Sequence, residues 1–408
     1  MNFLTLNRGC LDPNEQPFEI VERKGLGHPD SLADGLADAI SIAYSKYCLD
    51  RFGVVPHHNL DKVYIGGGHF LRDYGSRTML APIQLIVNGR ISNSMDGSEI
   101  DVQSIQREAA SEFLAPLMPH LDVEQHLEIH PNATQHTQRD FWFSPRSRED
   151  LHELSRLKAN DTSLCVAYAP LSVCELLTIV LEQAFWNVQE DGGRVPRWTD
   201  IGQDIKVMVL RNGRQIDVTV CAPFMSNSMS FYEYYLQRVS ETESLLQQLA
   251  ESVVGNKYQV KVEVNTAGRL YMLGVGSCIE CGEEGIVGRG NSSGGFIAAG
   301  RPHSMEAAFG KNPVYHTGRV LGYLTQKLAW AIYRQTGVPN VIHALTINGG
   351  GLVPPDRLVI STAQEVSRTA IADIVEREFL NTDYLSEVLR MPAVFRALNF
   401  VAQDLQRR

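Results

Sequence analysis

Helix and strand patterns alternate along the whole chain, but the strands occur singly or as hairpins and not in a regular β-α-β-α order. A regular alternation would favour one doubly wound parallel sheet, whereas this order favours layered α+β domains. The chain has 408 residues and a domain typically takes about 150, so two or three domains are expected. The sequence therefore predicts an α+β protein with more than one core.

Short local patterns predict individual elements. Ser172 and Glu175 form a capping-box pattern ahead of an apolar helical segment, and Thr362 and Glu365 repeat that pattern before a late helix. The Asn212-Gly213 pair separates two segments of alternating hydrophobicity. Because Asn-Gly suits a two-residue hairpin connection, we expect a β-hairpin with a type I′ turn at this point.

Composition and charge limit the classes of partner. The chain has 37 Lys and Arg against 47 Asp and Glu, a net charge of −10, and so lacks the basic face that nucleic acid or an anionic membrane requires. No stretch approaches the ~18 apolar residues of a membrane span, and the first ten residues do not have the layout of a signal peptide. The seven sparse cysteines indicate free thiols. We expect a cytoplasmic protein with neither nucleic acid nor membrane as a partner.

The segment 22–31, ERKGLGHPDS, is the clearest candidate for a phosphate site. It leads into a predicted helix with Asp30 and Ser31 as capping candidates, and a helix N-terminus carries free N–H groups and about half a positive charge. Asp30 would repel phosphate unless a hard cation such as Mg²⁺ lies between them. His28 could donate a proton to a phosphoryl or leaving-group oxygen. By itself, the segment is explained equally well as a capped helix with a satisfied loop histidine.

The densest set of charged residues lies in the segment 282–319, GEEGIVGRGNSSGGFIAAGRPHSMEAAFGKNPVYHTGR. This segment matches neither a Walker A loop nor a dinucleotide-binding fingerprint. Its cations are separated by glycines, and flexible backbone with converging cations is what a polyphosphate site in an acidic protein requires. The cationic residues that it offers include Arg289, Lys311 and Arg319.

Three shorter features carry little weight by themselves. Asp161 lies in a polar segment ahead of an apolar run, and a polar turn before a buried strand explains it. Asp204 and Lys206 are two residues apart on a predicted strand, so their side chains share one face, as in a solvated ion pair. Cys278 and Cys281 form a single C-x-x-C without a second ligand pair for zinc, and we interpret it as structural.

Taken together, these segments resemble the archaeal-type S-adenosylmethionine synthetases (methionine adenosyltransferases). The matching stretches are ERKGLGHPDSLADG, HHNLDKV with GGGH, NDTSLCVAYAPLS, GQDIKVMVLR, and VGRGN followed by RPHSMEAAFGKNPVYHTGR. They follow the family's order over about residues 20 to 320, roughly three quarters of the chain.

The resemblance implies three similar layered α+β domains with the chain interleaved between them. We predict a domain with the catalytic motifs at 18–118 plus 270–318, a second at 119–269 and a C-terminal one at 319–408. The resemblance also implies a homodimer with active sites at the subunit interface. In the reaction that it implies, the sulfur of methionine attacks C5′ of ATP, and the released triphosphate is hydrolysed to pyrophosphate and phosphate. Mg²⁺ is required, and many members also use K⁺.

A neutral sulfur nucleophile needs no general base, so positioning and stabilisation of triphosphate charge must lower the barrier. By motif position, the resemblance gives a role to each matching residue. The implied catalytic residues are His28, Lys206, Arg289 and Lys311. The implied nucleotide and triphosphate contacts are Glu22, Gly27, His28, Asp161, Asp204, Arg289, Lys311 and Arg319. The implied methionine contacts are Asp161 and His69, and the implied metal ligands are Asp30, Glu283 and Glu284.

The chain departs from the family's pattern beside these residues. Pro131–His136 lacks the usual glycine-rich segment, Gln203 replaces a glutamate, and Ser292–Gly294 replaces Arg-Val-Asn. Gly300 and His303 replace an aromatic residue and a methionine. A buried polar group left unpaired costs about 1–3 kcal/mol, so such changes can redirect specificity.

Three functions remain open at this point. The first is S-adenosylmethionine synthesis. The second is the same transfer with another nucleoside triphosphate, such as CTP, or with a methionine analogue. The third is a non-catalytic, nucleotide-binding regulatory paralogue, against which the retained triphosphate residues argue.

Overall fold

The computed structural model describes residues 1–151, 157–266 and 268–405 as an α+β protein built on three main sheets. In spatial order, the first sheet consists of Leu4–Arg8, Arg357–Thr362, Asn340–Thr346 and Ser163–Ala169. The second consists of Gln259–Val264, Gln215–Cys221, Lys206–Asn212, Phe18–Lys24 and Ile297–Ala298. The third consists of Glu284–Ile286, His58–Gly66, Ile83–Ile91 and Leu127–Pro131.

Helices and short strand pairs complete the described part of the chain. The α-helices are Pro29–Phe52, Val102–Leu117, Val123–His126, Val173–Gln183, Tyr232–Val254, Thr317–Thr336, Arg368–Val375, Tyr384–Arg390 and Ala393–Leu405. A π-helical segment spans Glu376–Leu380. The short pairs are His69–Asp73 with Ser76–Ala81, Ser94–Met95 with Ser98–Glu99, Trp186–Val188 with Arg194–Pro196, and Phe224–Met225 with Met272–Leu273.

Each main sheet is covered by helices, which gives the layered arrangement that the sequence predicted. Thr317–Thr336 packs on the first sheet, Val173–Gln183 and Tyr232–Val254 pack on the second, and Pro29–Phe52 packs on the third. Apolar side chains such as Leu36 are fully buried between these layers. The α+β fold class is confirmed.

Strand pairing shows how the chain is interleaved. Phe18–Lys24 pairs with Lys206–Asn212, although we predicted these segments for different domains. Leu127–Pro131 pairs with Ile83–Ile91 across the predicted boundary at residue 118. The predicted domain boundaries stay a prediction, but the layers share strands across them.

One of the two predicted capping boxes forms. The hydroxyl of Ser172 accepts from the N–H of Glu175 at 3.0 Å, and the carboxylate of Glu175 accepts from the N–H of Ser172 at 2.7 Å. The second is wrong, because Thr362 ends a strand and the next helix begins only at Arg368. The same pattern of residues therefore begins a helix at Ser172 and ends a strand at Thr362.

The predicted hairpin Lys206–Asn212 with Gln215–Cys221 is confirmed, but its turn type is not. Of the two connecting residues, only Gly213 has a positive φ, at +56°. A type I′ turn needs positive φ at both positions, and a glycine at the first position alone is typical of type II′.

Two expectations drawn from composition also have a structural counterpart. Among the residues that the structure describes, no helix is both long and apolar enough to cross a membrane. The seven cysteines are free thiols, as the sequence predicted. Cys48 is fully buried, whereas Cys281 of the C-x-x-C segment is exposed.

Candidate active site

The helix Pro29–Phe52 presents its N-terminus where the sequence predicted a phosphate site. His28 caps the helix, because its Nδ1 accepts from the N–H of Asp30 at 3.2 Å and its carbonyl accepts from Leu32. Asp30 and Ser31, the predicted caps, lie instead in the first turn. The sequence therefore located this helix start correctly but named the wrong capping residue.

Asp30 joins the helix N-terminus to the glycine-rich segment. One carboxylate oxygen lies 2.9 Å from Nζ of Lys24, and the other accepts from the N–H of Ile286 at 3.0 Å. Lys24 also donates to the carbonyl of Arg289 at 2.6 Å, while Asn291 exchanges two hydrogen bonds with the Lys24 backbone. Lys24 belongs to the segment 22–31, but the sequence predicted no role for it.

His28 is neutral at physiological pH. Burial lowers its pKa to about 4, with the nearby cations Lys24 and Lys206 acting in the same direction and Asp30 opposing them. Because Nδ1 is the acceptor of a backbone hydrogen bond, the neutral ring carries its proton on Nε2. His28 therefore offers a hydrogen-bond donor at Nε2. Beside it, Nζ of Lys206 lies 2.9 Å from a carboxylate oxygen of Glu22.

Asp204 is buried immediately before the strand that begins at Lys206. Its carboxylate accepts from the N–H of Cys278 at 2.9 Å, and burial raises its pKa to about 7. The predicted shared strand face of Asp204 and Lys206 is wrong, because Asp204 lies outside the strand. The preceding Gln203 accepts from the N–H of Gly27 at 3.1 Å, and a side chain at Gly27 would collide with Gln203.

A second group of charged residues surrounds Lys311. The Lys311 ammonium is buried and forms an ion pair with Glu306, whose other oxygen accepts from the hydroxyl of Ser163 at 2.5 Å. His316 occupies the N-cap position of the helix Thr317–Thr336 without a side-chain capping bond, and burial lowers its pKa to about 3, helped by Lys311. Glu306 lies within a stretch that carries the family resemblance, but no role was predicted for it.

A pocket of about 520 Å³ adjoins both groups. Lys24 and Arg289 line one part of it and Glu306 lines another. Ser292–Gly294 and His303, which depart from the family's pattern, are also in its lining. The apolar wall is made by Phe296, Phe309, Trp330, Ala397, Phe400 and Val401.

Arg319 lies away from this pocket. Its guanidinium is fully buried, pairs with Asp38 and donates to the carbonyls of Ala308 and Val388, both at 3.4 Å. Asp38 also accepts from the N–H of Gly310 at 3.1 Å. In this arrangement Arg319 supports the packing between helices and cannot touch a ligand directly.

Of the predicted site residues, only Arg289 is in the pocket lining. The predicted residues Asp161, His69, Glu283 and Glu284 are exposed. Asp161 accepts from the N–H of Thr162 at 2.7 Å, two residues before Ser163. His69 forms a backbone bridge with Cys281, close in sequence to Glu283 and Glu284.

The arrangement suits a magnesium ion bound mainly through its substrate. Among the described residues, no three His, Cys, Asp or Glu side chains are grouped to hold a metal. Nucleotide enzymes commonly bind Mg²⁺ through one or two carboxylates, with substrate phosphates and water completing the shell. The carboxylate of Asp30 at the helix N-terminus meets that lesser requirement.

A glycine-lined pocket with Lys24, Arg289 and Arg301 in its lining, next to a helix N-terminus capped by a donor histidine, is an arrangement suited to a phosphorylated small molecule. The model of the S-adenosylmethionine synthetase (AdoMet synthetase) family matches residues 8–378. The S-adenosylmethionine synthase of Pyrococcus furiosus is 35% identical over 358 residues, 86% of each chain. That of Caldivirga maquilingensis is 32% identical over 398 residues, which cover 93% of this chain and 94% of the relative.

An uncharacterised protein of Streptococcus pyogenes serotype M3 is 39% identical over 384 residues, which cover 93% of this chain and 94% of that protein. The chain therefore belongs to the S-adenosylmethionine synthetase family, and the archaeal-type resemblance is confirmed. The family generally uses a divalent metal ion and potassium.

Proposed function

We propose that the protein is a cytoplasmic enzyme that makes S-adenosylmethionine from ATP and methionine. The methionine sulfur forms a bond to C5′ while the bond from C5′ to the triphosphate oxygen breaks. The released triphosphate is then hydrolysed to pyrophosphate and phosphate. The observation that carries the proposal is the pocket lined by Lys24, Arg289 and Glu306, because Lys24 pairs with Asp30 at the Pro29–Phe52 N-terminus and Glu306 pairs with Lys311.

The chain's own groups can stabilise the leaving triphosphate. Lys206, Arg289 and Lys311 supply positive charge, and His28 can donate from Nε2 to the leaving oxygen. A preorganised donor of this kind contributes about 2.7–4 kcal/mol to the stabilisation of the transition state. Lys206 and Lys311 are paired with Glu22 and Glu306, so the triphosphate would have to displace both carboxylates.

The remaining predicted roles belong to the same proposal. Asp161 and His69 would contact methionine, Asp161 and Asp204 would line the nucleoside side, and Gly27 would allow close approach of the backbone. Arg319 would act only through Asp38, because it is fully buried. Exposure of Asp161 and His69 suits sites completed by the second subunit of a homodimer.

Mg²⁺ would be held by Asp30 together with the triphosphate, with Glu283 or Glu284 as a further contact. When bound, it would neutralise charge on the phosphates. Potassium is included because the family generally uses it. Asp30 would exchange its ion pair with Lys24 for the metal, which leaves Lys24 able to contact phosphate.

A second candidate is the same sulfonium-forming reaction with another nucleoside triphosphate, such as CTP, or with a methionine analogue. The specific observation in its favour is that Ser292–Gly294 and His303, where the chain departs from the family's pattern, line the pocket. The cations that would hold a triphosphate are retained, so a change of base is a smaller step than a change of chemistry.

One experiment separates these candidates. The purified protein is incubated with methionine, Mg²⁺ and K⁺ and with ATP, GTP, CTP or UTP, and the sulfonium product is measured by mass spectrometry together with released phosphate. We expect product with ATP. Product with another triphosphate and little with ATP would support the second candidate. The absence of product with all four would contradict both candidates as reactions of methionine itself, and would favour a methionine analogue or a non-catalytic paralogue.

A further inference from the structure

The last helix, Ala393–Leu405, lies beyond the part of the chain that the family model matches, which ends at residue 378. It is nevertheless part of the core, because Phe395, Leu398 and Val401 are buried. The centre of Phe395 lies 6.0 Å from that of Phe113 on the helix Val102–Leu117. This helix is therefore an integral layer of the protein.

Polar contacts hold this helix against its neighbours, among them the helix Pro29–Phe52 at the proposed site. The N–H of Ala393 donates to the carboxylate of Asp38 at 2.6 Å, and Asp38 lies two turns after Asp30 in Pro29–Phe52. The guanidinium of Arg396 donates to the carbonyl of Met391 at 3.0 Å. The first contact ties the start of the helix to Pro29–Phe52, and the second ties the helix to the residues just before it.

Three residues of this helix, Ala397, Phe400 and Val401, line the pocket. A Cβ atom at Gly295 would lie 3.3 Å from the Cβ of Ala397, so the helix is in close contact with the end of the Ser292–Gly294 segment. The three residues of the helix are apolar, whereas Lys24 and Arg289 in the same lining are charged. The pocket thus offers both charge and an apolar surface against which a ring can pack.

We propose that Ala397 and Phe400 of the helix Ala393–Leu405 determine which nucleobase the enzyme accepts. The inference rests on the proposed function, because it needs a nucleoside triphosphate whose phosphates lie near Lys24 and Arg289. The base of such a nucleotide then reaches the apolar wall, where an aromatic side chain can pack against its face. The part of the wall on this helix lies outside the family match and beside the Ser292–Gly294 segment, where the chain departs from the family's pattern.

The test compares Phe400→Ala with Phe395→Ala, which makes the same truncation on the same helix but away from the pocket lining. The kcat/KM is measured with ATP, GTP, CTP and UTP, and inorganic tripolyphosphate is measured as an inhibitor. In Phe400→Ala we expect at least a tenfold loss for the preferred nucleotide and a smaller preference over the other bases. Inhibition by tripolyphosphate should stay within twofold of that in the unmodified protein, because tripolyphosphate has no base. Phe400→Trp, which keeps an aromatic ring, should restore the base preference.

Two results would overturn the inference. One is an equal change of base preference in Phe395→Ala, which would mean a general packing effect. The other is an unchanged preference in Phe400→Ala. If thermal unfolding shows that Phe400→Ala does not fold, Phe400→Leu takes its place, because it removes the ring while keeping apolar volume. The same two results would then overturn the inference.

Failure of the proposed function gives a separate result. If the unmodified protein forms no sulfonium product with any triphosphate, the proposed reaction fails, whatever the variants do. The helix is then tested by calorimetric binding of the four nucleotides and of tripolyphosphate to Phe400→Ala and Phe395→Ala. Selective weakening of nucleotide binding in Phe400→Ala supports the inference, and equal weakening in both variants overturns it.

Discussion

Replacement of Lys311 by alanine tests the proposed triphosphate site most directly. The side chain of Lys311 is only 9% exposed, and its ammonium pairs with Glu306 beside the pocket. A buried cation that can exchange a carboxylate for a phosphate oxygen is the kind of preorganised group that stabilises charge on a leaving group. Lys311→Ala removes this charge and leaves the hydrogen bond from Ser163 to Glu306 in place.

The expected loss can be estimated in two ways. Removal of one preorganised donor typically lowers kcat by about 10²–10³, equivalent to about 2.7–4 kcal/mol. Two unit charges about 4 Å apart at an effective dielectric constant of about 20 interact by about 4 kcal/mol, which agrees. Stability should fall by about 1–3 kcal/mol, less than the cost of breaking a fully buried pair, because Glu306 faces the pocket and water can reach it.

The assay is the initial rate of sulfonium formation with whichever triphosphate the unmodified protein uses. Lys261→Ala is the matched control, because Lys261 is an exposed lysine that also pairs with a carboxylate, that of Glu263. We expect Lys311→Ala to lose at least tenfold in turnover and Lys261→Ala to lose less than twofold. Unchanged turnover in Lys311→Ala, with the fold intact by circular dichroism, would refute the assignment of the triphosphate site.

Three further predictions concern stability, each measured by chemical unfolding. Asp38→Asn should lower the free energy of unfolding by about 3–5 kcal/mol, because it leaves the fully buried Arg319 without its counter-ion; a loss below 1 kcal/mol would contradict this. Burial lowers the pKa of His28 from 6.5 to about 4, so the unfolded chain gains a proton first as pH falls. Between pH 6.5 and 4, the free energy of unfolding of the unmodified protein should fall by up to about 3 kcal/mol more than that of His28→Asn. Parallel plots of unfolding free energy against pH for the two proteins would refute this prediction. Burial raises the pKa of Asp204 from 3.8 to about 7, so stability is lost as pH rises through that window. As the pH rises from 4 to 8, the free energy of unfolding of Asp204→Asn should increase by up to about 4 kcal/mol relative to that of the unmodified protein. The absence of such an increase would contradict the burial argument.

Local sequence patterns predicted the elements whose causes are local. The Ser172–Glu175 box satisfies two backbone N–H groups within one turn, and it forms as predicted. The hairpin predicted around Asn212-Gly213 also forms, because its two strands are neighbours in sequence. Thr362 failed for a tertiary reason: the segment that it ends pairs with Leu4–Arg8 at the opposite end of the chain, which no local pattern could indicate.

The sequence indicated which charged residues lie near one another, but not all of their partners. The charged residues around the Pro29–Phe52 N-terminus lie together as the motif indicated, since sequence neighbours at a helix start are also spatial neighbours. Lys24 and Glu306 received no role because their partners are Asp30 across the loop and Lys311 in a folded turn. Arg319 was expected at the pocket from its motif, but Asp38, 281 residues away, holds it in the core.

By itself, the sequence determined the family, the α+β class and the set of charged residues available for chemistry, because motif order and local periodicity are written along the chain. Tertiary structure alone decided which of those charges meet. The interleaved sheets bring residue 24 beside 289, whereas burial withdraws Arg319 from the pocket. It also decided that the helix Ala393–Leu405 forms a pocket wall, since packing, and not sequence proximity, places Phe400 opposite a segment more than 100 residues earlier.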